Sequence, residues 1–96
     1  MNEYLLLIHN NAKSRATAAE WELFIQGASA SGFFAGGSEV GARTLIGNQA
    51  TANITHQVVG YMRFTTDDRP KLLALLETHP VVRHGGTVEL CELPKT

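Results

Sequence analysis

The chain has 96 residues, of which 44% are hydrophobic and 18% charged, and its formal net charge is −1. This length predicts one domain, residues 1–96, and the composition excludes an intrinsically disordered chain. The near-neutral charge, with scattered lysines and arginines, argues against nucleic acid or an anionic membrane as a partner.

The single cysteine, Cys91, excludes an intramolecular disulfide framework and a cysteine-based zinc cluster. We interpret it as a buried, unreactive thiol, because it lies in a predicted strand with no adjacent histidine. The apolar run at residues 4–8 is too short for a signal peptide or a membrane span, so we expect a cytoplasmic protein.

The first third of the chain predicts a strand and a helix. Residues 3–9 are apolar on both faces, which is typical of an interior strand covered on both sides. Residues 17–31 predict a helix that begins with a capping box of Thr17 and Glu20. Its apolar stripe consists of Trp21, Phe24, Ile25 and Ala28.

The middle of the chain predicts further strands, at residues 33–40, 43–46 and 56–65. Gly36–Gly37 interrupts the first of these and indicates a bulge, or the close approach of another backbone or a ligand. Residues 49–56 have no clear pattern.

The last third predicts a helix at residues 66–78 and a strand at residues 87–93. Pro70 is tolerated in the first turn of the helix, and the His79–Pro80 pair ends it. We expect His79 to cap the last helical carbonyls, and we interpret Gly85–Gly86 as the entry to the terminal strand.

The order βαββαβ predicts an α+β, ferredoxin-like fold with an antiparallel sheet. Two helices cover only one face of such a sheet, yet the strands at both ends of the chain are apolar on both faces. A large exposed apolar face is unusual in soluble monomers, so we infer a homodimer in which a second copy covers it.

The segments EYLLLIH, GGSEV, QVVGYMRF and HPVVRHGGTVELCEL resemble the YCII-related family, most closely its DGPF branch. The resemblance covers nearly the whole chain and implies a dimeric α/β barrel, in which two ferredoxin-like sheets face each other around a cleft. The DGPF motif itself is absent, since residues 47–56 read GNQATANITH. The family's proposed His/Asp pair has no counterpart, because residues 17–31 contain no histidine.

The candidate catalytic residues are His9, His56 and Glu39. The two histidines lie at ends of predicted neighbouring strands, and histidine is a common general base, although solvated strand ends are the simpler interpretation. Glu39 follows the glycine pair, where a ligand can approach. Its alternative role is a surface ion pair with Arg43.

Arg43, Tyr61 and Arg63 are the candidate ligand-binding residues, because the predicted strands place them beside the same cleft. No metal site is predicted: His79 and His84 are five residues apart, which is not the helical spacing of two metal ligands. The chain has no phosphate-binding glycine loop, GxSxG or HExxH motif, and we expect no cofactor.

Three functions remain open. The first is a homodimer that binds a small molecule in the cleft between its sheets without catalysis. The second is a cofactor-free enzyme with isomerase- or lyase-like proton transfer, in which His9 or His56 acts as base and Glu39 orients it. The third is a structural or interaction module.

Overall fold

The computed structural model describes residues 1–95, which form an α+β fold with four strands and three helices. In chain order these are β1 (Asn2–His9), α1 (Ala18–Ser31), β2 (Phe34–Glu39), β3 (Val58–Thr66), α2 (Arg69–Leu76), α3 (Pro80–Arg83) and β4 (Val88–Leu93). The strands form one open sheet in the order β2-β3-β1-β4, and every neighbouring pair is antiparallel.

Helix α1 begins and ends as its sequence predicts. The Thr17 hydroxyl accepts the Glu20 amide, and the Glu20 carboxylate accepts the Thr17 amide, so the capping box is formed. Gly32 ends the helix in the left-handed region, with φ 79°. Phe24 and Ala28 are buried along the predicted stripe.

The helices cover one face of the sheet, and the core lies between these two layers. Alternation along the strands directs every second side chain to this face. The buried apolar side chains are Tyr4, Leu6, Ile8, Phe24, Ala28, Met62, Phe64, Leu72 and Leu76.

The opposite face of the sheet has no helix over it. Leu5 lies there between Arg63 of β3 and Cys91 of β4, and the Leu5 and Cys91 side chains are only partly buried. Leu93, at the end of β4, is exposed at 37%. Cys91 is thus not the fully buried thiol that the sequence predicted.

The predicted bulge at Gly36–Gly37 is present. The register of β2 against β3 shifts between Phe34 and Gly37, and Gly36 has a φ of 108°, where residues with a Cβ are disfavoured.

The predicted strand at residues 43–46 is wrong. Sheet pairing of β2 ends at Glu39, followed only by the bond from the Val40 amide to the Val59 carbonyl. Residues 40–57 then run without regular structure and are exposed, so a strand at 43–46 has no neighbour to pair with.

His79 differs from its predicted role as a C-terminal cap of α2. Its side chain is fully buried, and Nδ1 accepts the Val81 amide at 3.1 Å, so His79 is the N-cap of α3. The ring packs edge-on against Trp21 and Phe24, at centroid distances of 5.0 and 4.7 Å. Nε2 has no hydrogen-bond partner within residues 1–95, and burial lowers the pKa of His79 to about 4.

No helix in this part of the chain combines the length and apolar character that crossing a bilayer requires.

The buried His79 predicts a pH dependence of stability. Its folded-state pKa of about 4 lies below the ordinary 6.5, so the unfolded chain binds more protons between these values. The stability contributed by neutral His79 is complete above about pH 6.5 and is lost as the pH falls through that window. Urea unfolding should therefore show that the cost of His79→Gln is largest at neutral pH and shrinks on acidification. A cost that stays constant with pH would contradict the assignment.

Candidate functional site

Two adjoining cavities lie where β1 and β2 end and β3 begins. Their volumes are ≈ 640 and ≈ 590 Å³, and both are lined by Trp21, Glu39, Val59 and Val81. We call the two together the cleft. The first cavity, its apolar part, contains Ile8, Ile25, Phe34 and Met62, and the second, its polar part, contains His9, Ser14 and His84.

The apolar part lies between α1 and the edge formed by β2 and β3, and glycines line its wall. Gly37 and Gly60 both line it without contributing a side chain. A Cβ at Gly37 would lie 2.4 Å from the Tyr61 carbonyl oxygen, so only glycine fits at this point of the strand. The glycine pair noticed in the sequence therefore does border a concave surface.

His9 lies in the polar part of the cleft, but the carboxylate beside it is Glu89. The distance from His9 Nε2 to Glu89 Oε1 is 3.0 Å. The two side chains meet because β1 and β4 are neighbours, with Leu7 opposite Glu89 in the register. Glu89, and not the predicted Glu39, is the group that orients this imidazole.

Glu39 and His56, the other two candidate catalytic residues, are separated. Glu39 ends β2, and its exposed side chain lines both parts of the cleft. His56 lies exposed in the turn before β3, and its carbonyl accepts a weak bond from Asn10 Nδ2 at 3.5 Å. The lining of the cleft includes His9 and Glu39 but not His56.

Of the predicted ligand-binding residues, only Tyr61 reaches the cleft. The Arg43 guanidinium donates instead to the carbonyls of Thr55, at 2.7 Å, and Val58, and so closes the loop of residues 40–57. Arg63 pairs with Glu3 at 3.4 Å on the open face of the sheet. The first arginine thus organises a loop, and the second lies on a different surface.

The shortest chain of polar contacts in this region was not predicted and joins Ser14, His84 and Glu20. Ser14 Oγ lies 2.7 Å from His84 Nδ1, and His84 Nε2 lies 2.6 Å from Glu20 Oε2. The His84 side chain is 21% exposed and Glu20 is 38% exposed. Ser14 and His84 both line the polar part of the cleft.

These contacts determine the protonation of the network. The hydrogen bond from His84, followed by the backbone amide of Thr17, lowers the pKa of Glu20 below its ordinary value, so the carboxylate is ionised at neutral pH. An ionised carboxylate only accepts hydrogen bonds, which places a proton on His84 Nε2. In the neutral imidazole, Nδ1 then carries a lone pair and accepts the Ser14 hydroxyl.

Two neighbouring segments hold this network in place. The amide of Lys13 donates to the His84 carbonyl at 2.8 Å. Asn11 forms two bonds with Thr87, from Nδ2 to Oγ1 at 3.0 Å and from the Thr87 amide to Oδ1 at 2.9 Å. The loop before α1 is therefore fixed against the turn that precedes β4.

Gly86 permits this close approach. A Cβ there would lie 2.6 Å from Val81 Cγ1 and 3.0 Å from the backbone N and Cα of Ala12. The glycine pair at 85–86 enters the last strand as predicted, and it also lets the loop that carries Ser14 close on His84.

Only part of this site could be predicted from the sequence. The capping box predicted where Glu20 lies, but no spacing links it to His84, 64 residues away, or His84 to Ser14, 70 residues away. Within residues 1–95 there is no group of three or more His, Cys, Asp or Glu side chains arranged to hold a metal ion.

Neither a protein-family model nor a curated protein matches this sequence.

The role of Gly86 is tested by Gly86→Ala. We expect it to cost about 1–3 kcal/mol of unfolding free energy, because the new methyl group collides with Val81 and Ala12. Displacement of the loop should also speed tryptic cleavage after Lys13. Urea unfolding and timed proteolysis would measure both effects.

The matched control is Gly27→Ala. Gly27 lies inside α1, and no atom outside its own helical turn lies within 4 Å of the place that a Cβ would take, so alanine should stabilise the helix by about 0.5–1 kcal/mol. Wild-type stability and unchanged proteolysis in Gly86→Ala would show that the loop does not need this glycine.

Proposed function

We propose that this chain is a YCII-related protein that binds a small, mostly apolar organic molecule in the cleft and acts as a homodimer. The observation that carries the proposal is the form of the cleft. A wall of apolar side chains ends at a few polar groups, and the volumes of ≈ 640 and ≈ 590 Å³ lie in the usual range for ligand sites. The binding surface is formed between α1 and the β2–β3 edge.

The distribution of groups indicates what kind of ligand would bind. Trp21, Ile25 and Phe34 offer apolar and aromatic contact, whereas Glu39 and His9 are at the polar end. Such a site favours a compound with an apolar body and one polar group, because the body is transferred from water while the polar group keeps hydrogen-bond partners.

The family assignment and the ferredoxin-like arrangement are supported by the element order and the sheet order. The β1-α1-β2 unit is followed by β3, a second helical connection and β4, and the sheet order is β2-β3-β1-β4. The resemblance of the strand and terminal segments to YCII-related proteins is compatible with this order. A dimeric barrel follows if two such sheets meet through their open faces.

The homodimer is supported by the open face of the sheet. Leu5, Leu7 and Cys91 remain only partly buried there. The loop of residues 40–57 adds exposed apolar side chains, with Ile46 at 95% and Ile54 at 72%. A second copy is the occupant that we propose, because the same face on a two-fold partner offers matching apolar strips and both members of ion pairs such as Glu3–Arg63.

Cofactor-free proton transfer is the second candidate function. It is favoured by the His9–Glu89 contact of 3.0 Å, which meets the requirement of a base held by a carboxylate. His9 lines the polar part of the cleft, whereas Glu89 lies outside the lining. Glu89 replaces Glu39 as the orienting group in this version.

Ligand binding is tested by screening small apolar acids, esters and phenols for an increase in melting temperature. A compound that binds the folded state stabilises it by mass action, and the single Trp21 reports occupancy of the cleft by a change in its fluorescence. Val59→Phe should fill the cleft mouth and weaken binding at least about tenfold.

Leu73→Phe is the control for this test, since Leu73 has the same 38% exposure as Val59 but lies on α2, outside the cleft lining. If no compound raises the melting temperature, or if both variants bind equally well, the cleft is not the ligand site.

The homodimer is tested by multi-angle light scattering at micromolar concentration, where we expect twice the chain mass of 10.4 kDa. Leu5→Lys should yield monomers, because it places a charge in the centre of the open face. Leu23→Lys, at a position on α1 that is 70% exposed, should remain dimeric. A well-folded wild-type monomer would refute this part of the proposal.

A further inference from the structure

We propose that Ser14, His84 and Glu20 form a nucleophilic site that transfers the acyl group of small, largely apolar carboxylic esters to water. The inference rests on the proposed function in one respect, since it uses the cleft as the binding site for the substrate. It goes beyond it by assigning a reaction class and a nucleophile.

The geometry of the three side chains carries the proposal. A nucleophilic hydroxyl requires a base within about 2.6–3.2 Å, and the base requires a third group that fixes its orientation. The Ser14–His84 and His84–Glu20 distances of 2.7 and 2.6 Å meet both requirements. The serine faces Nδ1 and the carboxylate faces Nε2, so the tautomer that carries its proton on Nε2 leaves Nδ1 free to accept the serine proton.

Glu20 is held independently of His84. Its Oε1 accepts the Thr17 amide and hydroxyl, both at 3.2 Å, while Oε2 is left for the imidazole. The capping box thus fixes the carboxylate to the first turn of α1. This arrangement preorganises the base in the way that a catalytic network requires.

The surroundings of Ser14 fit an ester substrate. Trp21 and Val81 line the polar part together with Ser14 and continue into the apolar part, where an acyl or alkyl chain would lie. Ala18 lines the same groove at the first position of α1, where backbone amides have no acceptor within the helix. Such amides stabilise negative charge on a carbonyl oxygen.

The reaction proceeds in two balanced steps. In the first, the Ser14 hydroxyl proton passes to His84 Nδ1, a bond forms between Oγ and the ester carbonyl carbon, and the bond to the leaving alkoxide breaks as it takes that proton. In the second, a water molecule gives a proton to Nδ1 and attacks the acyl carbon. The carboxylic acid leaves, and Oγ recovers its proton. Glu20 stays ionised and stabilises the imidazolium in both steps.

The test uses a fluorophosphonate ester, which phosphonylates activated serines, and p-nitrophenyl butyrate as an ester probe. Intact-mass and peptide analysis should show one phosphonyl group, on Ser14. Ser14→Ala should abolish the label and lower the rate of p-nitrophenol release at least about 10²-fold. Glu20→Gln keeps a capping-box residue, yet it should slow labelling by on the order of 10²-fold, because the neutral amide no longer stabilises the imidazolium.

Ser29→Ala is the control, because Ser29 is an exposed serine of α1 that caps the helix end through its backbone carbonyl. It should label and turn over like wild type. The proposal is overturned if wild type takes up no label, if the label is on other serines, or if Ser14→Ala or Glu20→Gln reacts at the wild-type rate. Any of these results would mean that the network only ties the loop to α1.

The melting-temperature screen separates this proposal from the proposed function. Wild type should show both stabilisation by bound ligand and labelling of Ser14. Ligand stabilisation without labelling of wild type refutes the acyl transfer alone. Labelling without any ligand stabilisation refutes the binding of a ligand in the apolar part, and the ester specificity with it.

Discussion

The closure of the β1–α1 loop onto the turn before β4 is the constraint on which the candidate site depends. The Lys13 amide and the Asn11 side chain bind this turn, and Gly86 provides the space for the contact. The Asn11–Thr87 bonds join residues 76 positions apart in sequence. Through them Ser14 is placed against His84 at the mouth of the cleft.

Much of the fold was predictable because local signals and sheet pairing agree. The capping box of α1 and the bulge at Gly36–Gly37 formed where the sequence indicated. The strand at residues 43–46 did not form, because strand propensity has no effect without a neighbour to pair with, and that neighbour cannot be found from local sequence. His79 was misinterpreted for a related reason, since a Pro at the next position both ends one helix and begins another.

The candidate site was only half predictable. His9 and Glu39 were found from strand ends and from the glycine pair, and they do line the cleft. The hydrogen-bond partners of the two histidines were not predicted. Glu89 contacts His9 because β1 and β4 pair in this register, and His84 contacts Glu20 because the turn before β4 packs against the start of α1. Contacts of this kind depend on tertiary packing and leave no fixed spacing in the sequence.

The central claim is that Glu20 holds the proton of His84 on Nε2 and so leaves Nδ1 free to accept the hydrogen bond from Ser14. Nitrogen-15 NMR of the imidazole at neutral pH measures this directly. We predict a proton on Nε2 and a bare Nδ1 that accepts a hydrogen bond. A proton on Nδ1, or rapid averaging between the two tautomers as in a free imidazole, would contradict the claim.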